Sequence, residues 1–440
     1  MALTGRTALV AALCSLVVLV APRPGVAVLA AALLLAVLIA ADLAAAGAVR
    51  TLRFRRDGDH VVRLGRTATV GLVVENPGRR RVRAVIRDAW PPSARPSPRT
   101  HQVTVPPGGR RRLVTTLAPV RRGDREAVAV TVRSFGPLGL AARQGTHQVP
   151  WTVRVVPPFH SRRHLPSRLA RLRELEGGNP VLVRGQGTEF DSLREYVVGD
   201  DVRSIDWRAT ARRGDVMVRT WRPERDRRVV IVLDTGRTSA GRLGVNPGGA
   251  GPSGWPRLDW SMDAALLLAA LAARAGDRVD VLAYDRAVRA WLSGVARTEL
   301  LSAMVNAFAP LEPELVETDF AGMAATVLAR AKRRCLVVLL TDLNAAALEE
   351  GLFPVLPSLS ARHLVLVAAA RDSRVADLAA LRVDAESVYD AAAAERHIGE
   401  RRAVTARLRR LGVEVVDALP EDLAPALADA YLALKAAGRL

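Results

Sequence analysis

The sequence predicts an α/β protein built from three parts: an N-terminal transmembrane helical hairpin, a small β-sandwich-like module, and a doubly wound α/β sheet. Three observations predict it. Residues 25–49 are apolar apart from Asp42, residues 51–157 alternate with the period of a half-buried strand, and from Arg228 onward short apolar strands alternate with helical runs. At 440 residues and 50% hydrophobic content, the chain exceeds one ordinary domain and can fill more than one core. The expected boundaries are 1–50 for two transmembrane helices, 51–157 for the β-rich module, 158–227 for a linker and a charged, aromatic stretch, and 228–440 for the α/β domain.

A hydrocarbon layer needs about 20 apolar residues, which 25–49 supply. Residues 8–22 form a shorter apolar run, and Arg23-Pro24 between the two leaves room only for a tight turn. Arg50, Arg53, Arg55 and Arg56 follow the second span, whereas the turn carries only Arg23. The positive-inside bias then puts the large C-terminal part in the cytoplasm of a two-span cell-membrane protein. The competing expectation is a cleaved signal peptide, because Arg6 precedes a short apolar run; the longer span would still hold the chain, with the soluble part facing outward. Cys14 and Cys335 are too far apart in sequence to make a disulfide framework, which fits a reducing compartment.

In the β-rich segment, Val70, Leu72 and Val74, then Val82, Ala84 and Ile86, then Val128, Val130 and Val132 mark strands with one apolar face. Asn76-Pro77-Gly78, Pro106-Pro107-Gly108-Gly109 and Arg122-Gly123-Asp124 are turn signals at the spacing of a small sandwich. Beyond it, His160 and His164 have the spacing of two ligands on one helical face, but Arg162 and Arg163 between them oppose a bound cation. A solvated linker is expected there.

The net charge of +20 raises nucleic acid or an anionic membrane surface as a partner. Arginine is spread through every region, lysine occurs only at Lys332 and Lys435, and alanine is abundant, so a compositional bias explains the charge. With aromatic residues at 4%, the stacking platforms of single-strand binders are missing, and no nucleic-acid partner is expected.

Residues 187–207 are the densest part of the chain. Glu189, Asp191, Glu195, Asp200, Asp201 and Asp206 interleave with Arg194, Arg203, Arg208, Arg212 and Arg213, the makings of a carboxylate–guanidinium network. Phe190, Tyr196, Trp207 and Trp221 add apolar anchors, so the composition is that of a docking surface or of a clamp between domains. The candidate residues for either role are Glu189, Phe190, Arg194, Tyr196, Asp200, Asp201, Arg203, Asp206 and Trp207. This stretch resembles the domain of unknown function 58 family. Arg121-Arg122-Gly123 followed by Gly136-Pro137-Leu138-Gly139-Leu140 is similar to the same family, in which aspartate usually stands where Gly136 does here. The resemblance implies a von Willebrand factor A-like domain and partnership with a MoxR-type AAA+ ATPase in assembling or maturing other proteins.

In the last part, strands are expected at 229–233, 279–284, 336–340, 363–367 and 413–416, and helices at 258–275, 299–308, 320–331 and 423–437. Where such a sheet reverses its winding, the strands 229–233 and 336–340 lie side by side, so Asp234 and Thr341-Asp342 at their ends share one crevice. Hydroxyl and carboxylate oxygens gathered there suit Mg²⁺. Asp234, Thr238, Thr318 and Asp342 resemble the metal-ion-dependent adhesion site of von Willebrand factor A domains, while Gly236 stands where a hydroxyl ligand is usual. Two readings follow: a weak Mg²⁺ site that stabilises the domain, and a vestigial one whose aspartates cap helices and bond to loop amides. The Gly/Pro-rich insertion at 241–256 is expected as a loop at its rim.

There is no Gly-Lys-Ser or Gly-Lys-Thr, and the GxG at Gly185 lacks a third glycine, so no directly bound nucleotide is expected. No GxSxG nucleophile elbow and no Ser–His or Cys–His pairing is evident, which leaves no catalytic residue to name. The expected function is a membrane-anchored, non-enzymatic adaptor. Its competitors are a metal-dependent hydrolase using the carboxylates of residues 187–207, among which Asp200 and Asp201 could act as acid and base, and an outward-facing envelope binding protein.

Overall fold

The computed structural model describes residues 1–177, 189–197, 200–222, 227–243 and 254–440. It contains both helices and several separate sheets, and divides into two compact units, Met1–Pro158 and Phe159–Leu440.

The first unit opens with helix α1 (Gly5–Val20) and helix α2 (Pro24–Ala45), which are in contact. Pro24 at the first turn of α2 loses no intrahelical bond there. The 22 residues of α2 reach about 33 Å, long and apolar enough to cross a membrane; α1, with 16 residues, is shorter. The apolar span expected to run to Val49 ends earlier. Ala46, Val49 and Leu52 leave the helix and are buried in the β module.

That module has a five-stranded sheet, in which Val82–Ala89 lies between Thr100–Val105 and Ala129–Phe135, and a four-stranded sheet, in which Ala68–Glu75 lies between Arg53–Gly58 and Arg110–Leu117. Leu72 and Val74 of one sheet and Val82, Ile86, Val130 and Val132 of the other share one core with Val49 and Leu52. Alternate residues of each strand therefore point inward, as the period of two requires. A buried ion pair sits in this module: Arg56 donates to Asp88 through Nη1 at 3.0 Å and Nη2 at 2.6 Å, with side-chain exposures of 1% and 0%. Trp90 Nε1 and Thr115 Oγ1 also donate to Asp88, and Arg56 Nε donates to the Val149 carbonyl. Every charge in this pair is thus compensated inside the protein.

One loop, residues 136–141, binds both helices. Asp42, 1% exposed in the last turn of α2, accepts from the backbone N–H groups of Leu138 (2.8 Å), Leu140 (2.7 Å) and Ala141 (3.0 Å). At the start of α1, Thr4 N and Oγ1 and Thr7 Oγ1 donate to the Leu140 carbonyl, and Arg6 Nη1 to that of Leu138. Ala2 and Leu3 add a short strand beside Ala141 and Ala142. A Cβ on Gly136 would lie 2.2 Å from Asp42 Oδ1, so only glycine lets this carboxylate in. The resemblance marked Gly136 as a departure; the helix supplies a carboxylate at that place.

The second unit holds a six-stranded sheet of strands β1 (Arg228–Asp234), β2 (Arg278–Tyr284), β3 (Val288–Leu292), β4 (Leu336–Leu340), β5 (Leu364–Ala370) and β6 (Glu414–Ala418), in the order β3-β2-β1-β4-β5-β6. All neighbours are parallel except the edge strand β3, which is antiparallel to β2. Its helices are α3 (Leu165–Gly177), α4 (Trp207–Arg213), α5 (Arg257–Arg274), α6 (Leu300–Phe308), α7 (Phe320–Arg330), α8 (Phe353–Ser360), α9 (Ser373–Ala380), α10 (Ala385–Arg410) and α11 (Pro420–Ala436). Val229, Ile231 and Leu233 pack with α5 and α11 on one face, while Val230 and Val232 pack with residues of α7, α8 and α10 on the other. Both faces are covered, which is why the strands read as unbroken apolar runs.

One expectation needs correction. The segment after residue 158 is folded rather than a solvated linker: Ser161 N donates to buried Asp263, His160 packs on Trp255, and α3 packs on α5 and α11. Burial pushes the Asp263 carboxyl up to about 6 against these Ser161 and His160 hydrogen bonds. The edge strand β3 and the helices α8, α9 and α10 were not anticipated. Residues 244–253 of the Gly/Pro-rich insertion, and Gly185, lie outside the described residues.

Candidate functional site

The charged, aromatic stretch folds as a hairpin: Glu189–Glu195 pairs antiparallel with Met217–Arg222, and α4 lies between the two strands in the chain. Glu189 and Phe190 open the first strand, with Phe190 opposite Trp221 in register. Tyr196 N donates to the Val216 carbonyl at 2.8 Å and extends the pairing. The aspartates do local work. Asp200 accepts from Arg194 Nη2 at 2.5 Å and from Val197 N at 3.0 Å. Asp201 accepts from Arg203 N, and Asp206 caps α4 by accepting from Arg208 N and Ala209 N at 3.0 Å each. Asp206 also accepts from Arg219 Nε at 2.8 Å; the Ala209 bond and this ion pair hold its carboxyl below the ordinary range. Asp200 and Asp201 thus accept from different partners.

The outward face is different. Trp207, the first residue of α4, is 69% exposed, and Val202, Arg203, Arg208, Arg212, Arg213 and Arg219 are exposed with it. The carboxylates turned into caps leave the guanidinium groups as the dominant charge, with Asp201 and Asp215 also exposed.

The second group lies at the C-terminal edge of the sheet, where β1 and β4 are adjacent. Asp234, 2% exposed, gathers three hydroxyls and an amide: Oδ1 accepts from Thr318 Oγ1 (2.6 Å) and Gly236 N (2.8 Å), and Oδ2 from Thr341 Oγ1 (2.5 Å) and Thr238 Oγ1 (3.1 Å). Three of the residues singled out in the sequence, Asp234, Thr238 and Thr318, are therefore in direct contact, and Thr341 joins them. Asp342 meets arginines instead. Its Oδ1 accepts from Arg401 Nη1 at 2.7 Å and its Oδ2 lies 3.3 Å from Arg257 Nη1. Arg257 also donates to the Thr238 carbonyl, which links the two aspartate clusters. Arg401 further pairs with Asp417 at 2.9 Å. Burial pulls Arg257 below its ordinary value despite the nearby Asp342, while for Arg401 the bonds to Asp417 and Asp342 outweigh burial and hold the guanidinium above it.

These contacts compensate both aspartates. Arg257 and Arg401 supply positive charge to Asp342, and each Asp234 oxygen already accepts two hydrogen bonds. A Cβ on Gly236 would lie 2.1 Å from Thr318 Oγ1, so a side-chain ligand has no room there. Both Asp234 oxygens are engaged by hydrogen bonds, while the Thr238, Thr318 and Thr341 hydroxyls, which donate to it, keep their oxygen lone pairs. Neither Arg257 nor Arg401 carries a sequence signal that distinguishes it from the other arginines.

Comparison with known proteins adds a family match. Residues 192–409, from the first strand of the hairpin to the end of α10, match the profile described as "Protein of unknown function DUF58". The uncharacterized protein YeaD of Bacillus subtilis (strain 168) is 26% identical over 118 residues, which are 27% of this chain and 29% of that protein. The chain thus spans under a third of that relative's length. Among solved structures, the CARDB domain of a Pyrococcus furiosus protein overlaps 24% of this chain and 87% of its own at 16% identity, with a TM-score of 0.18. A FixG-related protein from Vibrio parahaemolyticus overlaps 24% and 96% at 13% identity, with a TM-score of 0.17.

Proposed function

We propose that this protein is a membrane-anchored adaptor that docks a protein partner on the tryptophan–arginine face of the hairpin. The observation that carries the reading is Trp207, a large aromatic side chain left 69% exposed at a helix start, with Arg203, Arg208, Arg212 and Arg213 exposed close to it in the chain, the residue types that dominate binding hot spots. Such a face suits an acidic segment of the partner. The partner implied by the family resemblance is a MoxR-type AAA+ ATPase. On this reading α1 and α2 cross the bilayer as a hairpin, Arg50, Arg53 and Arg55 keep the following units in the cytoplasm, and the six-stranded sheet is a von Willebrand factor A-like domain.

The test is binding of the full chain in detergent to a co-expressed MoxR-type ATPase. Trp207→Ala is expected to weaken binding about 30-fold or more, the loss of a hot spot of about 2 kcal/mol, with an unchanged melting midpoint because the side chain is exposed. Binding that survives this substitution and also Arg203→Ala would exclude the face.

The A-type crevice on this reading works without a metal, its positive charge coming from Arg257 and Arg401. Millimolar-order Mg²⁺ and a chelator are therefore expected to give the full chain the same melting midpoint, because a cation that does not bind the folded state cannot stabilise it. A reproducible rise with Mg²⁺ that Asp234→Ala abolishes would restore the metal site.

A further inference from the structure

Positive charge is divided unevenly between the two units. Residues 1–158 contain 24 arginines against 7 acidic residues, whereas residues 159–440 contain 40 basic against 37 acidic residues, so +17 of the +20 belongs to the helix-bearing unit. Basic residues are about equally dense in the two units, so the asymmetry comes from the scarcity of acidic residues in the first. The bonds at the end of α2 show where part of it collects. Arg143 Nε donates to the Leu43 carbonyl at 2.9 Å, and Arg80 donates to that of Ala44. The Cβ position of Gly47 lies 3.1 Å from the Arg81 carbonyl, and that of Gly78 lies 3.5 Å from Thr51 Oγ1, so residues 47–51 run alongside 78–81. Arg50, Arg79, Arg80, Arg81 and Arg143 are thereby assembled around the base of α2, with Arg6 at the adjoining start of α1, and all six are exposed. The nearby carboxylate, Asp42, is turned into the 136–141 loop and buried, and Glu75 lies opposite Arg53 and Arg110 in the sheet.

We propose that this arginine collar binds the phosphate groups of anionic phospholipids at the membrane surface. The inference rests on the membrane-anchor reading above, and what it adds is the ligand. An apolar helix fixes the depth, and the collar begins at the last turn of that helix, where headgroups lie. Guanidinium forks match phosphate oxygens two at a time, and each basic residue held near an anionic leaflet adds to the attraction. Arg80 and Arg143 satisfy helix carbonyls as well, but Arg50, Arg79 and Arg81 are exposed beyond that role.

The experiment uses the full chain in neutral detergent, titrated with phosphatidylglycerol or phosphatidylcholine, with bound lipid counted by native mass spectrometry. Phosphatidylglycerol is expected to bind about tenfold tighter or more. The triple variant Arg50→Gln, Arg79→Gln, Arg81→Gln spares the helix-capping arginines and is expected to bring that ratio near unity. Replacing the exposed Arg402, Arg409 and Arg410 of α10 with glutamine should leave the ratio unchanged. Equal affinity for the two lipids, or a ratio kept by the collar variant, overturns the proposal. Displacement of phosphatidylglycerol by an equal concentration of inorganic phosphate would make the collar a site for free phosphate and overturn it too. Alkaline extraction of native membranes separates the premises: a chain washed off the bilayer sinks the anchor and the collar together, whereas an anchored chain without lipid preference sinks the collar alone.

Discussion

Replacing Asp88 with alanine should destabilise the β module by about 3–5 kcal/mol, the range for breaking one partner out of a buried ion pair. The size follows from what is left behind. Arg56 would keep its bond to the Val149 carbonyl and its place over the Trp90 ring, 5.1 Å from the centroid, but would face no carboxylate at 1% exposure. Trp90 Nε1 and Thr115 Oγ1 would lose an acceptor as well. Removing both charges in Arg56→Met, Asp88→Leu should recover most of the loss, because two apolar groups leave nothing unpaired. Thermal melts of the full chain in detergent, with proteolysis between residues 53 and 156 as a local readout, measure both variants. A single variant that loses less than about 1 kcal/mol would show the pair to be hydrated.

Asp42→Ala should have the second large effect, since three amide donors lose their acceptor at once and each such loss costs about 1–3 kcal/mol. The informative variant is its partner. Gly136→Asp in the unmodified chain should destabilise, because its Cβ would run into the Asp42 carboxylate. Combined with Asp42→Ala, it puts a carboxylate back in the vacated space and should restore protection of the 136–141 loop from proteolysis. A double variant no better than Asp42→Ala would show that the helix, and not simply a carboxylate, is required.

What could be read from the chain divides along a physical line. Strands whose faces differ in polarity, such as Val82–Ala89, and strands buried on both faces, such as β4, announce themselves by periodicity or its absence. Helix α10 does not. Half of its 26 residues are alanine or arginine, with charge on nearly every side, so it has no apolar stripe to detect; the Asp384–Ser387 capping box at its start was the available signal. Strand β3 is five residues long at the sheet edge, with Val288 and Arg289 exposed and the three residues after them partly buried, too little for a pattern. At the sheet edge, the sequence pattern singled out Asp234, Thr238 and Thr318, which do meet, because a strand terminus fixes its own position. The guanidinium groups beside Asp342 were hidden. Arg401 is 59 residues away along the chain, and nothing local marks which arginine a fold will turn inward. Trp207 was read as an anchor without its exposure, which periodicity does not supply for a seven-residue helix. Asp42 and Gly136 each looked anomalous alone, and only their contact explains both.

The passage from α2 into the β module has a mechanical consequence. Ala46, Val49 and Leu52 enter the core straight after the last turn, the cavities beside Gly47 and Gly145 are filled by Val82 and Val49, and Asp42 fastens the helix to the 136–141 loop. There is no slack between helix and module. A module on a loose tether sweeps a volume set by the tether's length and meets partners by diffusion within it. On the anchor reading proposed above, this one instead moves as a lever whose arm is α2: a tilt of the helix, such as a change of bilayer thickness imposes, swings the module by the same angle. On that reading, sensitivity to membrane thickness is wired into the join itself.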